Sequence, residues 1–525
     1  MSISIKIDIN EIETLLQQYG VKNAWRNILA TMIAESDAKF KYILKSNEFN
    51  GYTLLNKNIL KNLSVGEVGV LYEYSVASSD PKERIENGQY FTPDDISIYM
   101  AKKGLELGDG KWLDPCSGIG NLSWHLTNQQ EDKEGFLKNN LILSDRDPLA
   151  LFIARVIFTL SFQDKDKSLY KNIKYNFKEL DFLSAATNKD GNDSNELSII
   201  PRHDFVIVNP PYLGLKKADN RFETASSKDL YSYFLENIIK TSKGFVSVTP
   251  QSFTNAGKFE SLRKLILRNF KNIKIYNFDN VPANIFYGVK HGSTNTNTSN
   301  SVRACVMICS NDKKSVRITS LLRWRADERG KLIKNLDKFL CDIELSYEFF
   351  PKVSRQYKDV YTEVRSLKKL SSIMTSKNTA FPLYIPSSPR YYISALKSPV
   401  DRSSLKTIYF NNKDDQEIAY LLLNSSLLYW WWRVRDGGMT LSLETIKSCP
   451  LPDFKIQKNL IRMLEKSEIE NKVFKMNAGK LQENVKHSKD VIKKLNKCVI
   501  PSHADKLIKV HENSDIATLL EKTKD

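Results

Sequence analysis

Between about Gly88 and Ser310 short apolar runs alternate with helical stretches: KWLDP, LILSD, DFVIVNP, KGFVSVTP, IKIYNF and ACVMIC. Alternation of this kind requires a parallel or mostly parallel sheet with helices on both faces. It therefore predicts an α/β fold, a Rossmann-like open sheet, whose ligands sit beyond the carboxyl ends of the strands. Residues 1–86 instead carry helical periodicity (IETLLQQYG, AWRNILATMIAES, VGVLYEYSV). From 311 to 455 the pattern is irregular and aromatic, as expected of a mixed α+β unit, and 456–525 reads as a charged helical tail. The expected segments are thus 1–86, 87–310, 311–455 and 456–525. Two polar tracts, Asn188–Ser198 and His291–Ser301, read as solvent loops.

Composition narrows the partner more than the fold. Of 525 residues, 41% are hydrophobic and 26% charged, the balance of a soluble globular protein. No run approaches the roughly 20 apolar residues of a membrane span, and MSISIKIDINEIE lacks a signal-peptide profile. The six cysteines form no CxxC pair, and Cys305 and Cys309 in RACVMIC read as small buried hydrophobes. A reducing, cytoplasmic setting and no metal are expected. The net charge of +17 points to a polyanion. Residues 311–455 hold 25 Lys and Arg against 16 Asp and Glu, a net of +9, more than their share by length. Arg323, Arg325, Arg390, Arg433 and Arg435 are candidates there for phosphate or base contacts, although most are expected to be ordinary surface residues. At least two of Trp430, Trp431 and Trp432 are expected in the core, since consecutive side chains point in different directions.

The chemistry-bearing residues cluster at strand ends. After FVIV come Asn209, Pro210, Pro211 and Tyr212. The prolines stop the strand and stiffen a loop that offers an amide, restricted carbonyls and an aromatic face. After KWL come Asp114, Cys116, Gly118 and Gly120; the glycines let the backbone approach a ligand while turning into a helix. The pattern Asp-x3-Gly-x-Gly is neither GxGxxG nor a phosphate-binding P-loop. A carboxylate here repels pyrophosphate and suits a cationic amino-acid group. After LIL, Asp145 is placed to accept ribose hydroxyls, and Asp147 to cap the helix PLALFIARVIF. Asp181 and Phe182 place a carboxylate beside an aromatic ring.

The order GQYFTP, DPCSGIG, SDRDP, LDF, NPPY resembles the gamma class of adenine-N6 DNA methyltransferases of restriction–modification systems. VGEVGVLYEYSV resembles the entry to their methylation subunits, and LLLNSSLLYWWWRVRDGGMTLSLETIKSCPLP the end of a target-recognition domain, over roughly residues 65–455. The resemblance implies S-adenosylmethionine as cofactor. Tyr90, Thr92 and the neighbouring backbone would bind its methionine carboxylate, and Asp114, Cys116, Gly118 and Gly120 its amino-acid portion. Asp145 would take the ribose, Asp181 and Phe182 the adenine. Asn209, Pro210, Pro211 and Tyr212 would receive the target base, with Phe286 (or its neighbour Tyr287) as a second stacking residue. Residues 311–455 would be the target-recognition domain.

The implied function is site-specific methyl transfer to N6 of a flipped-out adenine in double-stranded DNA, in a prokaryotic cytoplasm. A separate restriction endonuclease or specificity subunit is an expected partner. The NPPY loop also suits RNA guanine-N2 and protein glutamine methyltransferases, because both acceptors present a planar amide-like nitrogen. A partner-dependent DNA-binding modification subunit is a further alternative. No PD…(D/E)xK arrangement with room for a nuclease domain stands in residues 1–86, which disfavours cleavage by this chain.

Overall fold

A computed structural model describes residues 9–79, 92–187, 200–286, 290–291, 294–295, 302–389, 392–402, 404–438, 440–477, 479–512 and 515. Tyr90, Tyr287, Arg390 and most of the two polar tracts lie outside the described residues.

The expected alternation becomes one sheet of nine strands. In chain order these are β1 (Trp112–Asp114), β2 (Leu141–Asp145), β3 (Phe177–Glu179), β4 (Phe205–Val208), β5 (Gly244–Pro250) and β6 (Asn272–Phe278). After the two-residue ladder β7 (Lys290–His291) and β8 (Thr294–Asn295) come β9 (Ala304–Ser310), β10 (Ser315–Leu322) and β11 (Cys341–Asp342). The spatial order is β11-β10-β6-β9-β5-β4-β1-β2-β3. β1 pairs in parallel with both β2 and β4, and β4 in parallel with β5. β9 runs antiparallel to β5 and β6.

Both faces of this sheet are covered, which explains why its strands read as continuous apolar runs. Phe205 and Ile207 pack on one side with Trp112, Leu143 and Val248. Val206 and Val208 pack on the other with Leu113, Leu235 and Phe245. Cys305 and Cys309 are buried on that second side, as small hydrophobes are. Burying each Val, Leu, Ile or Phe side chain of these two layers stabilises by about 1.5–3 kcal/mol.

The helices that supply this cover and frame the site are α1 (Ile9–Glu35), α2 (Val65–Ser79), α3 (Asp94–Leu105), α4 (Asn121–Asn128), α5 (Pro148–Phe162), α6 (Leu230–Thr241) and α7 (Glu260–Asn269). α1 bends at Gly20, whose φ of 71° is open to glycine at little cost. α1 and α2 share a core with Ile153, Val156 and Ile157 of α5. Arg155 on α5 pairs with Glu48 and donates to Tyr170 Oη at 2.7 Å. The N-terminal helical region therefore packs as part of the same unit as the sheet.

Two expected boundaries are corrected. The sheet does not stop at 310, because β10 pairs in parallel with β6 and β11 adds an antiparallel edge. The alternation in SVRITSLL belongs to the first unit. Nor is 456–525 a helical tail. It contains α10 (Lys458–Glu470), a hairpin of β15 (Lys472–Asn477) and β16 (Lys480–Val485), and α11 (Lys489–Val499). Leu460, Ile461, Leu464, Leu495 and Val499 bury into the same core as α8 (Lys413–Asn424) and α9 (Ser426–Arg435). Lysines on the outer faces hid that apolar stripe. Beside it stands a small antiparallel sheet of β12 (Met374–Thr375), β13 (Pro382–Pro386) and β14 (Leu405–Phe410). Trp430, Trp431 and Trp432 are all buried in this core.

One buried ion cluster ties the two units. Asp279, just after β6, accepts from Arg303 Nε at 2.8 Å, Arg433 Nη1 at 2.8 Å and Arg323 Nε at 3.3 Å. Arg433 lies on α9, so this cluster crosses from the sheet to the C-terminal unit. Burial alone would raise the Asp279 pKa, but the guanidiniums of Arg433, Arg303 and Arg323 hold it down at about 2. Arg323 and Arg433 are therefore structural, contrary to their place among the DNA-contact candidates: at 3% and 8% exposure they have no face to offer a phosphate. A depressed carboxyl stabilises above its ordinary pKa and loses that contribution as pH falls toward 2. Asp279→Asn, which removes the carboxylate charge that three guanidiniums share, is expected to lower the unfolding free energy at pH 7 by about 3–5 kcal/mol in urea titration. A loss below about 1 kcal/mol, the size of an exposed pair, would show the cluster to be dispensable.

Candidate active site

Because β1 is flanked by β2 on one side and β4 on the other, the chain leaves their carboxyl ends in opposite directions. The crevice between is where an open α/β sheet binds ligands. A cavity of about 300 Å³ opens there. Its walls include Thr92, Asp114, Cys116, Gly118, Asp145, Asp181, Phe182, Asn209 and Pro211, nine of the fourteen residues singled out in the sequence.

The glycine turn is built to carry negative charge into this cavity. Gly118 has a φ of 52° and its N–H donates to Asp145 Oδ2 at 2.7 Å. Gly120, with a φ of 83°, caps α4 rather than lining the cavity; a Cβ there would stand 2.8 Å from the Phe158 ring. Asp145 also accepts from the Asp147 N–H at 3.0 Å, and Asp147 caps α5 through Leu149 and Ala150. Asp114 Oδ2 accepts from Ser123 Oγ at 2.9 Å. Asp114 Oδ1 is buried and without a hydrogen-bond partner among the described residues. Burial raises the Asp114 pKa and the charge on Asp145 adds to it, while the Ser123 hydroxyl and the Cys116 backbone N–H oppose it, leaving Asp114 at about 7. Asp145 is also pushed up, again chiefly by burial. Two neighbouring carboxyls short of positive charge describe a receptor for a cation.

The residues of the Asn209–Tyr212 loop divide. Asn209 and Pro211 face the cavity, whereas Pro210 is buried and Tyr212 stands outside the cavity wall. Cys116 Sγ donates to the Asn209 carbonyl at 3.2 Å, and Asn209 Nδ2 donates to Thr92 Oγ1 at 3.1 Å. Tyr212 Oη donates to the Val248 carbonyl at 3.0 Å. Its ring meets Tyr231 and Phe286 edge-on, with centroids 6.4 and 6.2 Å away. Phe286 is thus brought beside the loop, but at 2% exposure its ring is packed in the core and offers no open face to a base. Phe182 stacks on Phe234 at 5.3 Å, and Asp181 caps the short helix after it through Leu183 and Ser184.

Several cavity residues were not legible beforehand. Tyr72, on α2, lines the cavity and donates through Oη to Asp147 Oδ2. Asn121 lines it as the first residue of α4; its Nδ2 donates to the Thr92 carbonyl at 2.6 Å and its Oδ1 is buried without a partner among the described residues. Its place directly after the second glycine of the turn was the available signal. Arg221, ion-paired with Asp219 at 2.6 Å, stands at the rim. Among the described residues no group of three His, Cys, Asp or Glu could hold a metal, and no helix is long and apolar enough to cross a membrane.

Solved structures similar to this chain include the DrdV–DNA complex, at 15% identity and a TM-score of 0.45, covering 72% of this chain and 44% of that one. The type IIG restriction endonuclease BpuSI matches at 12% identity and a TM-score of 0.42, covering 97% of this chain and 78% of that one. A type I restriction-modification methyltransferase subunit from Streptococcus thermophilus matches at 15% identity and 0.35, covering 65% and 75%. Residues 139–286, which carry β2, β3, β4 and the Asn209–Tyr212 loop, match the family model described as the Eco57I restriction-modification methylase, and over that segment the chain is similar to that family.

Proposed function

We propose that the chain transfers the methyl group of S-adenosylmethionine to the N6 amino group of an adenine flipped out of double-stranded DNA, within a restriction–modification system. The observation that carries this reading is the junction of a cation-seeking cavity with the amide loop. Asp114 Oδ1, buried without a partner among the described residues, and Asn209 open on the same space. The net charge of +17 and the family match support nucleic acid as the acceptor.

The residues fit the cofactor. Its ammonium suits Asp114 Oδ1 and Asn121 Oδ1, both acceptors in need of a donor. Asp145 suits the ribose hydroxyls. Asp181 with the Phe182 ring suits the adenine, and Thr92 the carboxylate. When bound, S-adenosylmethionine supplies a methyl group activated on a sulfonium.

Everything else is orientation by the protein. The N6 lone pair of adenine is delocalised into its ring and is a poor nucleophile. Asn209 Oδ1 and the Pro210 carbonyl, accepting hydrogen bonds from the two N6 hydrogens, draw the nitrogen toward tetrahedral geometry and free the lone pair for in-line attack; the methylated nitrogen would then lose one of those protons to water. The work is done by proximity and preorganised hydrogen bonds. Extruding the base costs a few kcal/mol. Stacking on Tyr212 returns about 1–3 kcal/mol. The packed Phe286 is assigned to supporting Tyr212 from behind, not to stacking on the base. The unit after Asp342 is assigned to target recognition, with its Lys-rich surface as the candidate for phosphate contact; the exposed Arg325, between β10 and β11, would add to it from the edge of the sheet.

Transfer of tritiated methyl groups to DNA, RNA and protein, followed by nucleoside analysis, tests the reading. N6-methyladenine from DNA is the expected product; label confined to RNA or protein would overturn it. Asn209→Ala is expected to cut transfer by at least about 10²–10³-fold while cofactor affinity, read by calorimetry, stays close to wild type. The Asp114 carboxyl adds a pH signature. A cation binds its ionised form, so cofactor affinity is expected to fall by up to about tenfold per pH unit below 7. The same raised pKa means that the ligand-free protein loses stability as pH rises from 4 to 7. Asp114→Asn should therefore raise the ligand-free melting temperature at pH 8 while weakening cofactor binding. A flat affinity profile from pH 5.5 to 8 would remove Asp114 from the cation site.

A further inference from the structure

The resemblance gave Thr92 to the cofactor, but its hydroxyl is spent on the catalytic amide. Thr92 is 4% exposed and its Oγ1 accepts from Asn209 Nδ2 at 3.1 Å, across 117 positions of sequence. Its backbone is fixed with equal care. The Thr92 carbonyl accepts from Asn121 Nδ2 at 2.6 Å and from Ser97 Oγ at 3.4 Å, and Asn121 Nδ2 also donates to Ser97 Oγ at 3.0 Å. Ser97 is fully buried on α3, and Pro93 caps that helix. The first turns of α3 and α4 thus clamp one threonine against the loop after β4. From the other side Cys116 Sγ holds the Asn209 carbonyl. The asparagine is gripped at its backbone by the glycine turn and at its side chain by Thr92.

We infer that Thr92 is a positioning residue for methyl transfer, which selects the productive one of the two orientations of the Asn209 amide. An asparagine amide has a donor end and an acceptor end, and a half-turn about its last bond exchanges them. With Nδ2 on Thr92 the carbonyl oxygen is turned to the acceptor side, where it can take an amino hydrogen. The opposite orientation presents an NH2 group to an amine and holds nothing. A threonine hydroxyl can donate or accept, so by itself it permits both. It becomes selective when its own proton is given elsewhere, because it can then only accept. Thr92 lines the cofactor cavity, so an anionic ligand group there would take that proton and lock the amide. Cofactor and target base are then held in series through one hydroxyl. This rests on the methyl-transfer reading of the site, but not on the identity of the acceptor.

The test compares Thr92→Ser, which keeps the hydroxyl, with Thr92→Ala, which differs from it only by that oxygen, and with the isosteric Thr92→Val. Single-turnover methyl transfer is measured on whichever acceptor the wild type labels, and cofactor dissociation constants by calorimetry. Loss of the hydroxyl is expected to slow the transfer step by about 100-fold, as a misplaced catalytic group does. Cofactor affinity is expected to change only several-fold, and Ser to restore most of the rate. An Ala variant at the Ser rate overturns the inference. So does a loss lying wholly in cofactor affinity, which would leave Thr92 with carboxylate binding alone. Equal damage in Ser and Ala would show that the methyl packs rather than that the hydroxyl orients. A wild type that labels RNA or protein overturns the DNA reading alone, since the Thr92 comparison is then made on that acceptor. A wild type that labels nothing overturns both.

Discussion

The double pairing of β1 decides where everything else can be. A strand hydrogen-bonded in parallel on both edges is buried on both faces, so its only exit is its carboxyl tip. The tips of β1, β2 and β4 therefore converge, and the side chains that follow them, Asp114, Asp145 and Asn209, have one space to share. No local property of the Asn209–Tyr212 loop creates a site. The sheet does, by bringing that loop within hydrogen-bond reach of Thr92, more than a hundred positions away.

Two buried aspartates show how the same side chain is used for opposite ends. Asp279 is surrounded by Arg303, Arg323 and Arg433, and its carboxyl is held near 2. Its charge is satisfied, and its role is cohesion between two units. Asp114 has a serine and a neighbouring acid for company, and its carboxyl rises to about 7. Its charge is unsatisfied, which weakens the fold as pH rises toward 7. A perturbed acid marks a site only when the compensating charge is missing from the protein.

The sheet was legible because its strands are short, apolar and punctuated: the six runs read from the sequence became β1, β2, β4, β5, β6 and β9. β3 escaped notice because its three residues, Phe177, Lys178 and Glu179, lie at an edge and are half-buried or exposed. β10 was not read as a strand: its residues fall in the stretch after 310 that reads as irregular, and only its parallel pairing with β6 joins it to the sheet. The β15–β16 hairpin was taken for helix because Lys-rich text carries no period of its own. In the site, the carboxylates and the amide loop were legible from type and position at strand ends. Tyr72, Arg221 and the Thr92–Asn209 bond were not, because they depend on how separate elements meet. Arginines 323 and 433 misled for the same reason: charge in a sequence does not say which side of a surface it is on.

The Asp279 cluster also constrains how such a chain can change. Arg303 and Arg323 come from the sheet, but Arg433 comes from α9, and it also donates to the Leu321 carbonyl at 2.6 Å. A C-terminal unit grafted from another protein must bring a guanidinium to that spot. Without it, a buried carboxylate and a carbonyl at the seam are left short of a donor. The outer surface of the unit is thus free to vary, while wholesale exchange of the unit is limited by this one socket.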